Sequence, residues 1–399
     1  MNVFFQHPAE TLISFFVLIM TIIVVHELGH YLIARSCGVA IDRFAIGFGR
    51  ALASWRDKAG VEWRIGWIPL GGYVKFAGDS NAASIPDGAD LSVMRSQIIA
   101  NEGPGAELKY LAFKPVWQRA LIAAAGPAAN FLLAVILFSI FYGVFGEEVG
   151  STRIAQVVPG SAAAAAGFHV DDQVVRVDDR PLRSFQEMAS YVQYRAGIPL
   201  DFRVKRGADF LHIRAAPRPD SVKSAFGGEQ TIGRLGLGSR GVVFKRYNPI
   251  EAAGLGVKET ADITQTTVFY LGRILTGQAR ASELHSILGI AHAAGSVTSD
   301  VIAQAKAAHV NWLVEVIRVL VYMGGAMSVS VGLLNLMPIP VLDGGHLAFY
   351  AYEAIVRRPV AARVQAIGYR VGIILLVSLM LFATRNDLHP LHLFHLFGG

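Results

Sequence analysis

The chain has 399 residues, of which 53% are hydrophobic and 17% charged, with a mean hydropathy of +0.43. Soluble proteins carry roughly 25% charged residues, so a string of ordinary soluble domains is excluded and a membrane protein is indicated. The balance of 36 Lys+Arg against 30 Asp+Glu is too even for a nucleic-acid binder. The single cysteine, Cys37, excludes an intrachain disulfide and any cysteine-built metal cage, so a metal could be held only by His, Asp or Glu.

A bilayer-spanning helix needs about 20 apolar residues. The first candidate runs from Thr11 to Ala34 and is interrupted late by His26-Glu27-Leu28-Gly29-His30. On a helix, residues four apart stack on one face, about 6 Å apart along the axis. Both imidazoles can then reach one ion while Glu27 points at water beside it, the arrangement of two zinc ligands and a general base in H-E-x-x-H hydrolases. Ionisable groups inside a membrane helix cost several kcal/mol unless they line a cavity or bind something. The bland reading is a pair of histidines hydrogen-bonded within a helix bundle. The N-terminus lacks a basic segment and a small-residue cleavage site, and is read as a retained span rather than a signal peptide.

Next, Gly66 to Phe76 is rich in aromatic and β-branched residues and reads as a membrane-associated β-hairpin with Gly71-Gly72 at its turn. The second span lies between Arg119 and Glu147, with no charge from Ala120 to Gly146. Beyond it, Ile154 to Val158 alternates like a strand, Pro159-Gly160-Ser161 leads into an alanine-rich helix, and strand, turn and helix follow to Tyr194. This stretch resembles a PDZ domain in the bacterial arrangement, a single inserted α+β domain over 149–218. Asp220 to Gly241 reads as linker plus a short strand, and Pro249 to Gly277 as an amphipathic helix, with Ile263, Val268, Leu271 and Leu275 available for its apolar face.

The third span runs from Arg318 to about Pro338 and leads into Asn335-Leu336-Met337-Pro338-Ile339-Pro340-Val341-Leu342-Asp343-Gly344-Gly345. Pro338 and Pro340 forbid a continuous helix, so the chain can fold back. A catalytic zinc wants three protein ligands and an open position, and Asp343 is the best third donor, with His346 a lesser rival. The fourth span is charge-free only from Val371 to Thr384, about 21 Å of helix, and reaches across if it begins near Gln365 and Arg370 snorkels. His285, His292 and His309 read as solvent-side residues, and His389, His392 and His395 show no ligand spacing. The positive-inside rule applied to Arg35 through Lys75, and to Arg357, Arg358 and Arg363, makes those segments cytoplasmic and puts the N-terminus and the inserted domain outside.

His26-Glu27-Leu28-Gly29-His30, Gly126-Pro127-Ala128-Ala129-Asn130 and the Asn335–Gly345 segment resemble the three signatures of the site-2 protease family of intramembrane zinc metalloproteases. Their order and spacing are similar to the bacterial branch that includes the regulator-of-sigma-E protease, although that branch usually resembles a tandem PDZ pair and shows a Ser-Gly-Pro step where this chain has His285, Ser286 and Ile287. The resemblance implies one catalytic Zn2+ held by His26, His30 and Asp343, with Glu27 activating water and Asn335 contacting the substrate backbone. It places Asn130 close to the site, in a packing or a catalytic role, and moves the Gly71, Gly72, Tyr73 segment toward clamping an extended substrate by strand addition. The implied substrates are single-span membrane proteins such as an anti-sigma factor, with remnant signal peptides as a second class.

The fold expected is thus a polytopic α-helical membrane protein with four transmembrane helices. It divides into a first membrane half (1–148), the PDZ domain (149–218), a linker and amphipathic helix region (219–312) and a second membrane half (313–399). It is a multi-pass protein of the cytoplasmic (inner) membrane in contact with lipid and without a nucleic-acid partner. Two other classes stay open on sequence: a catalytically inactive PDZ scaffold, which would want a closed four-ligand zinc site, and a metal transporter, which would want inverted repeats.

Overall fold

The computed structural model describes residues 8–78, 88–223, 229–239, 242–276 and 287–388. His285 and Ser286, and His389, His392 and His395, lie outside the described residues. In chain order the described elements begin with α1 (Pro8–Ser36), β1 (Ile41–Arg56), β2 (Glu62–Phe76), α2 (Gly88–Glu102) and α3 (Val116–Ile140), which continues as a π-helical turn over Phe141–Phe145. There follow β3 (Glu147–Gly150), β4 (Ile154–Val157), α4 (Ala162–Ala166), β5 (Gln173–Val177), β6 (Arg180–Pro181), α5 (Phe185–Gln193), β7 (Leu200–Arg206) and β8 (Asp209–Ala215). Four short strands come next, β9 (Arg218–Lys223), β10 (Glu229–Arg234), β11 (Leu237–Ser239) and β12 (Val242–Lys245). The last described elements are helices: α6 (Pro249–Leu275), α7 (Ile287–Ala307), α8 (Trp312–Asn335), α9 (Asp343–Val356) and α10 (Ala362–Leu388).

Four of these helices are long and apolar enough to cross a membrane, over Ile13–Ser36, Val116–Phe145, Trp312–Asn335 and Ala362–Arg385, so the chain is a polytopic helical membrane protein. The fourth begins at Ala362, ahead of the charge-free stretch, and carries Arg363 and Arg370 within its first turns. The described residues form two compact units. One comprises the chain up to Phe138 together with Gly256–Thr264 and Ala294–Arg385; the other is built chiefly from Ser139–Leu255 and Gln265–Ala293.

In the first unit the helices approach closely because small residues face one another, the usual source of affinity between helices in lipid. A Cβ on Gly29 of α1 would stand 2.7 Å from Ala129 Cβ of α3, and one on Gly325 of α8 would stand 2.8 Å from the Phe138 ring. Polar groups reinforce these crossings: Ser328 donates to the Asn130 carbonyl at 2.8 Å, and the Ser14 and Thr298 hydroxyls meet at 3.1 Å between α1 and α7. At the start of α3, Arg119 forms a largely buried ion pair with Glu353 of α9 at 2.6 Å, its guanidinium over the Tyr350 ring.

The strands of this unit correct one expectation. Gly71-Gly72 is not a turn: both residues lie inside β2, and the turn joining β1 to β2 is at Asp57–Gly60, where Asp57 Oδ1 accepts from the backbone N–H groups of Ala59 and Val61. An aspartate that caps its own turn is the stronger signal. The two glycines serve close approach instead, since a Cβ on Gly71 would enter the Phe48 ring and one on Gly72 would lie 2.9 Å from Glu27 Cγ. Gly71, at φ 126, bends β2 so that Phe44–Ile46 of β1 faces Gly72–Val74 and also Trp63–Ile65.

In the second unit β6-β5-β7-β8 form a sheet, and β4 pairs with β11. Ile154, Phe168, Val174, Val177, Phe202 and Val204 fill its core, with α5 contributing Met188 and Val192. Leu235 joins that core and Leu237 packs on it, so the folded unit takes in these residues, which lie beyond the boundary read at 218. The sequence gives no sign of this because β11 is three residues long, follows Gly236 and has Gly238 at its centre. Asp172, with no exposed side-chain surface, receives both Arg206 Nε at 2.7 Å and Arg206 Nη2 at 2.8 Å, together with the His169 N–H at 2.8 Å.

Burial alone would push the Asp172 carboxyl up, but the Arg206 guanidinium and the His169 N–H hold it below its ordinary range. A carboxyl with a lowered native pKa stabilises the fold fully above its unfolded value, about 4, and less as pH falls through the native value. Arg206→Met should destabilise this unit at neutral pH by about 2 kcal/mol, less than the roughly 3–5 of a fully buried pair because a third of Arg206 meets water. Faster amide exchange in β7 of the whole chain in detergent micelles would register the change, and the gap to wild type should narrow below about pH 4.

Candidate metal centre

His26 and His30 occupy successive turns of α1, their ring centroids 4.9 Å apart. Asp343 reaches them from the other end of the chain because α8 stops at Asn335 and a compact turn follows, with Ile339 N–H donating to Met337 O at 2.7 Å and Leu342 N–H to Ile339 O at 2.8 Å. α9 then starts at Asp343 itself, where a carboxylate is favoured by the helix dipole. Gly344 and Gly345 leave no space for a Cβ against the carbonyls of Leu336, Met337 and Ile339, and their packing turns the aspartate toward α1. The sequence shows the proline stop but not the helix that begins on the aspartate.

The three donor atoms converge. His26 Nε2 and His30 Nε2 are 3.2 Å apart, and Asp343 Oδ2 is 3.2 Å from the first and 3.4 Å from the second. His30 Nδ1 lies 2.8 Å from the Ile122 carbonyl oxygen of α3. A carbonyl can only accept, so Nδ1 carries the proton and Nε2 of the neutral ring is a bare lone pair. Asp343 Oδ2 is buried without a hydrogen-bond donor assigned to it. A proton could relieve one edge of this triangle but not all three, whereas a cation at its centre relieves every edge. Zinc bonds of about 2.0–2.1 Å in tetrahedral array set ligand atoms about 3.3–3.4 Å apart. The donor set therefore fits a zinc ion. Among the described residues this is the cluster of three that could hold a metal; His346 sits outside it, stacked on Tyr350.

Glu27 adjoins the triangle and does not join it. The Val74 backbone N–H of β2 donates to its carboxylate, and Gly72 abuts its Cγ. The edge of β2 that carries the Val74 N–H thus faces the site. The other sequence candidates are placed around this point: Gly71 under Phe48, Tyr73 with its hydroxyl held by Arg43 at 3.3 Å, and Asn335 at the last residue of α8. Behind the imidazoles runs one stripe of α3. Ile122 meets His30, Gly126 lies flat against both rings so that a Cβ there would stand 2.7 Å from His26 Nε2, and Asn130 places Nδ2 3.1 Å from His26 Nδ1. Sequence reasoning missed the Ile122 carbonyl, which carries no residue signature, and the Val74 N–H, for the same reason.

The description "Peptidase family M50" belongs to a family model that matches residues 14–379. Metalloprotease MmpA of Caulobacter vibrioides is 47% identical over 398 residues, covering 97% of this chain and 98% of that protein. A putative zinc metalloprotease of Agrobacterium fabrum is 38% identical over 381 residues, covering 94% and 95%, and one of Rhizobium meliloti is 34% identical over 393 residues, covering 98% and 99%. With a match that takes in α1, α3, α8 and α9 and relatives aligned from end to end, this chain belongs to peptidase family M50.

Proposed function

We propose that this zinc metalloprotease cuts peptide bonds within the bilayer, in the spanning segments of single-span membrane proteins. The carrying observation is where the donors sit: two are on a helix with the length and hydropathy of a span, and the third starts the helix that follows another span. A segment that itself lies in the membrane can reach that depth. Membership of a peptidase family and relatives named zinc metalloproteases support the enzyme over an inert scaffold or a transporter.

His26, His30 and Asp343 hold the ion, which when bound supplies the Lewis acidity that amide hydrolysis requires. Glu27, held in place by the Val74 N–H, takes a proton from the attacking water and returns it to the leaving amine. A spanning helix hides its peptide groups in its own hydrogen bonds, so a few residues must unwind and find other partners. The β2 edge from Gly72 to Phe76 offers them by strand addition, with Gly71 and Tyr73 shaping the clamp and Asn335 taking a backbone group on the opposite side. Membrane-bound anti-sigma factors already trimmed outside are the substrates this reading favours, with remnant signal peptides second, in regulated intramembrane proteolysis. The unit carrying β4 to β11 acts as a PDZ-type gate on the extracytoplasmic side of the inner membrane, with β1 and β2 on the cytoplasmic side, as the distribution of Lys and Arg supports.

Glu27→Gln should retain zinc and lower cleavage of a single-span reporter in detergent by about 10²–10⁴-fold; cleavage at the wild-type rate would remove Glu27 as the base. Gly72→Val crowds Glu27 and the strand edge. It should reduce kcat/KM by about tenfold or more at unchanged zinc content, the range typical of a misplaced catalytic geometry. An unimpaired variant would take the β2 edge out of substrate alignment.

A further inference from the structure

Asn130 is fully buried on α3, with its backbone carbonyl bonded to Ser328 and its side chain against His26. Its Nδ2 faces His26 Nδ1 at 3.1 Å, and its Oδ1 is buried with no partner among the described residues. An amide N–H donating to Nδ1 requires the ring proton on Nε2, the atom that stands 3.2 Å from both His30 Nε2 and Asp343 Oδ2. That tautomer leaves Nε2 without a lone pair for a metal. A neutral imidazole that ligates through Nε2 must carry its proton on Nδ1, and that proton needs an acceptor.

Around His26 the acceptor is already in the right place, on the wrong atom. A half-turn of the amide exchanges Oδ1 and Nδ2, which are nearly equal in size, and presents Oδ1 to the Nδ1–H. As placed, Oδ1 has no partner among the described residues, so no hydrogen bond from them opposes that half-turn on the far side. His30 needs no such adjustment, because Ile122 O is an acceptor in all circumstances.

We infer that Asn130 is the positioning residue for His26: with Oδ1 turned toward the ring it accepts from Nδ1–H and fixes the tautomer that leaves Nε2 free to ligate. Both tautomers are the neutral ring, so the choice between them leaves its charge unchanged. The inference rests on the metal-centre reading above and adds a mechanism by which the fold selects the loaded state. It also separates the two histidines, one held ready by backbone and the other set by a side chain.

The test is zinc affinity of the whole chain in detergent, read by competition with a chromophoric chelator, for wild type, Asn130→Asp, Asn130→Leu and Asp343→Asn. A carboxylate accepts from Nδ1–H without rotating, so Asn130→Asp should bind zinc as tightly as wild type or more tightly. Asn130→Leu keeps the volume and removes the acceptor, and should weaken binding by about 10–100-fold, the usual cost of losing such a partner. A role in packing alone predicts wild-type affinity for Asn130→Leu, and a donating role predicts that Asn130→Asp is as weak as Asn130→Leu; either result overturns the inference. If Asn130→Asp does not fold, Asn130→Ser replaces it, since a hydroxyl can accept. Its loss should be smaller than that of Asn130→Leu, and an equal loss overturns the inference. Asp343→Asn separates the two levels of the argument: if it binds zinc like wild type, or wild type binds none, the metal centre itself fails.

Discussion

Three lone pairs brought within 3.4 Å of one another away from bulk water repel unless a cation joins them, and the membrane half of this protein is arranged around that requirement. Two of the donors come without effort from the period of α1. The third has to be imported from the far end of the sequence, which calls for a chain reversal between α8 and α9 at a depth where exposed backbone is costly. Pro338 and Pro340 stop the incoming helix, short turns satisfy the freed backbone groups, and Gly344-Gly345 allows the new helix to start against the carbonyls it has just left. Each of these sequence features looks like a loop when read alone and like a ligand mount when read with its neighbours.

The wall behind the ligands is α3. Arg119, Ile122, Gly126 and Asn130 are spaced by three or four residues and so share a face. Along that face the helix makes an ion pair to α9, accepts from one imidazole, lies flat against both, and contacts the second imidazole. Apolar surface gains nothing from helix association in lipid, so close packing and a few polar bonds must supply it. The Gly29 and Gly325 crossings provide the packing, and Ser328 and the Arg119–Glu353 pair provide bonds. A glycine in this wall brings backbone to imidazole, and the same approach that holds the helices together sets the rings.

The legible parts of the site were those whose chemistry is carried by side chains in register. His26, Glu27 and His30 announced themselves as charges in an apolar run, and Asp343 as the acid beyond a double-proline stop. Backbone partners were invisible, because Ile122 O and Val74 N–H could belong to any residue. The glycines were visible but ambiguous: Gly71-Gly72 satisfies every local rule for a hairpin turn, and only the Phe48 ring and the Glu27 side chain, far off in sequence, explain why they sit inside a strand. The same limit hid the pairing of the short strand read within 220–241, since the three residues of β11 have meaning only against β4. Where function depends on one backbone approaching another group, sequence records the space that was cleared and not what fills it.

The position of Gly72 and Val74 ties binding to chemistry in a specific way. The Val74 N–H is given to Glu27, so in the proposed mode the strand edge that an extended substrate would join is also the edge that holds the base. On that proposal a substrate aligned along Gly72–Phe76 would lie beside Glu27 and the metal ligands without any separate positioning element. A helical segment, with its carbonyls turned inward, cannot make that alignment. In the proposed mode the selection for unwound chain therefore precedes hydrolysis and needs no recognition of particular side chains, and a narrow choice of substrate would have to be imposed elsewhere, by whatever controls access to the bilayer site.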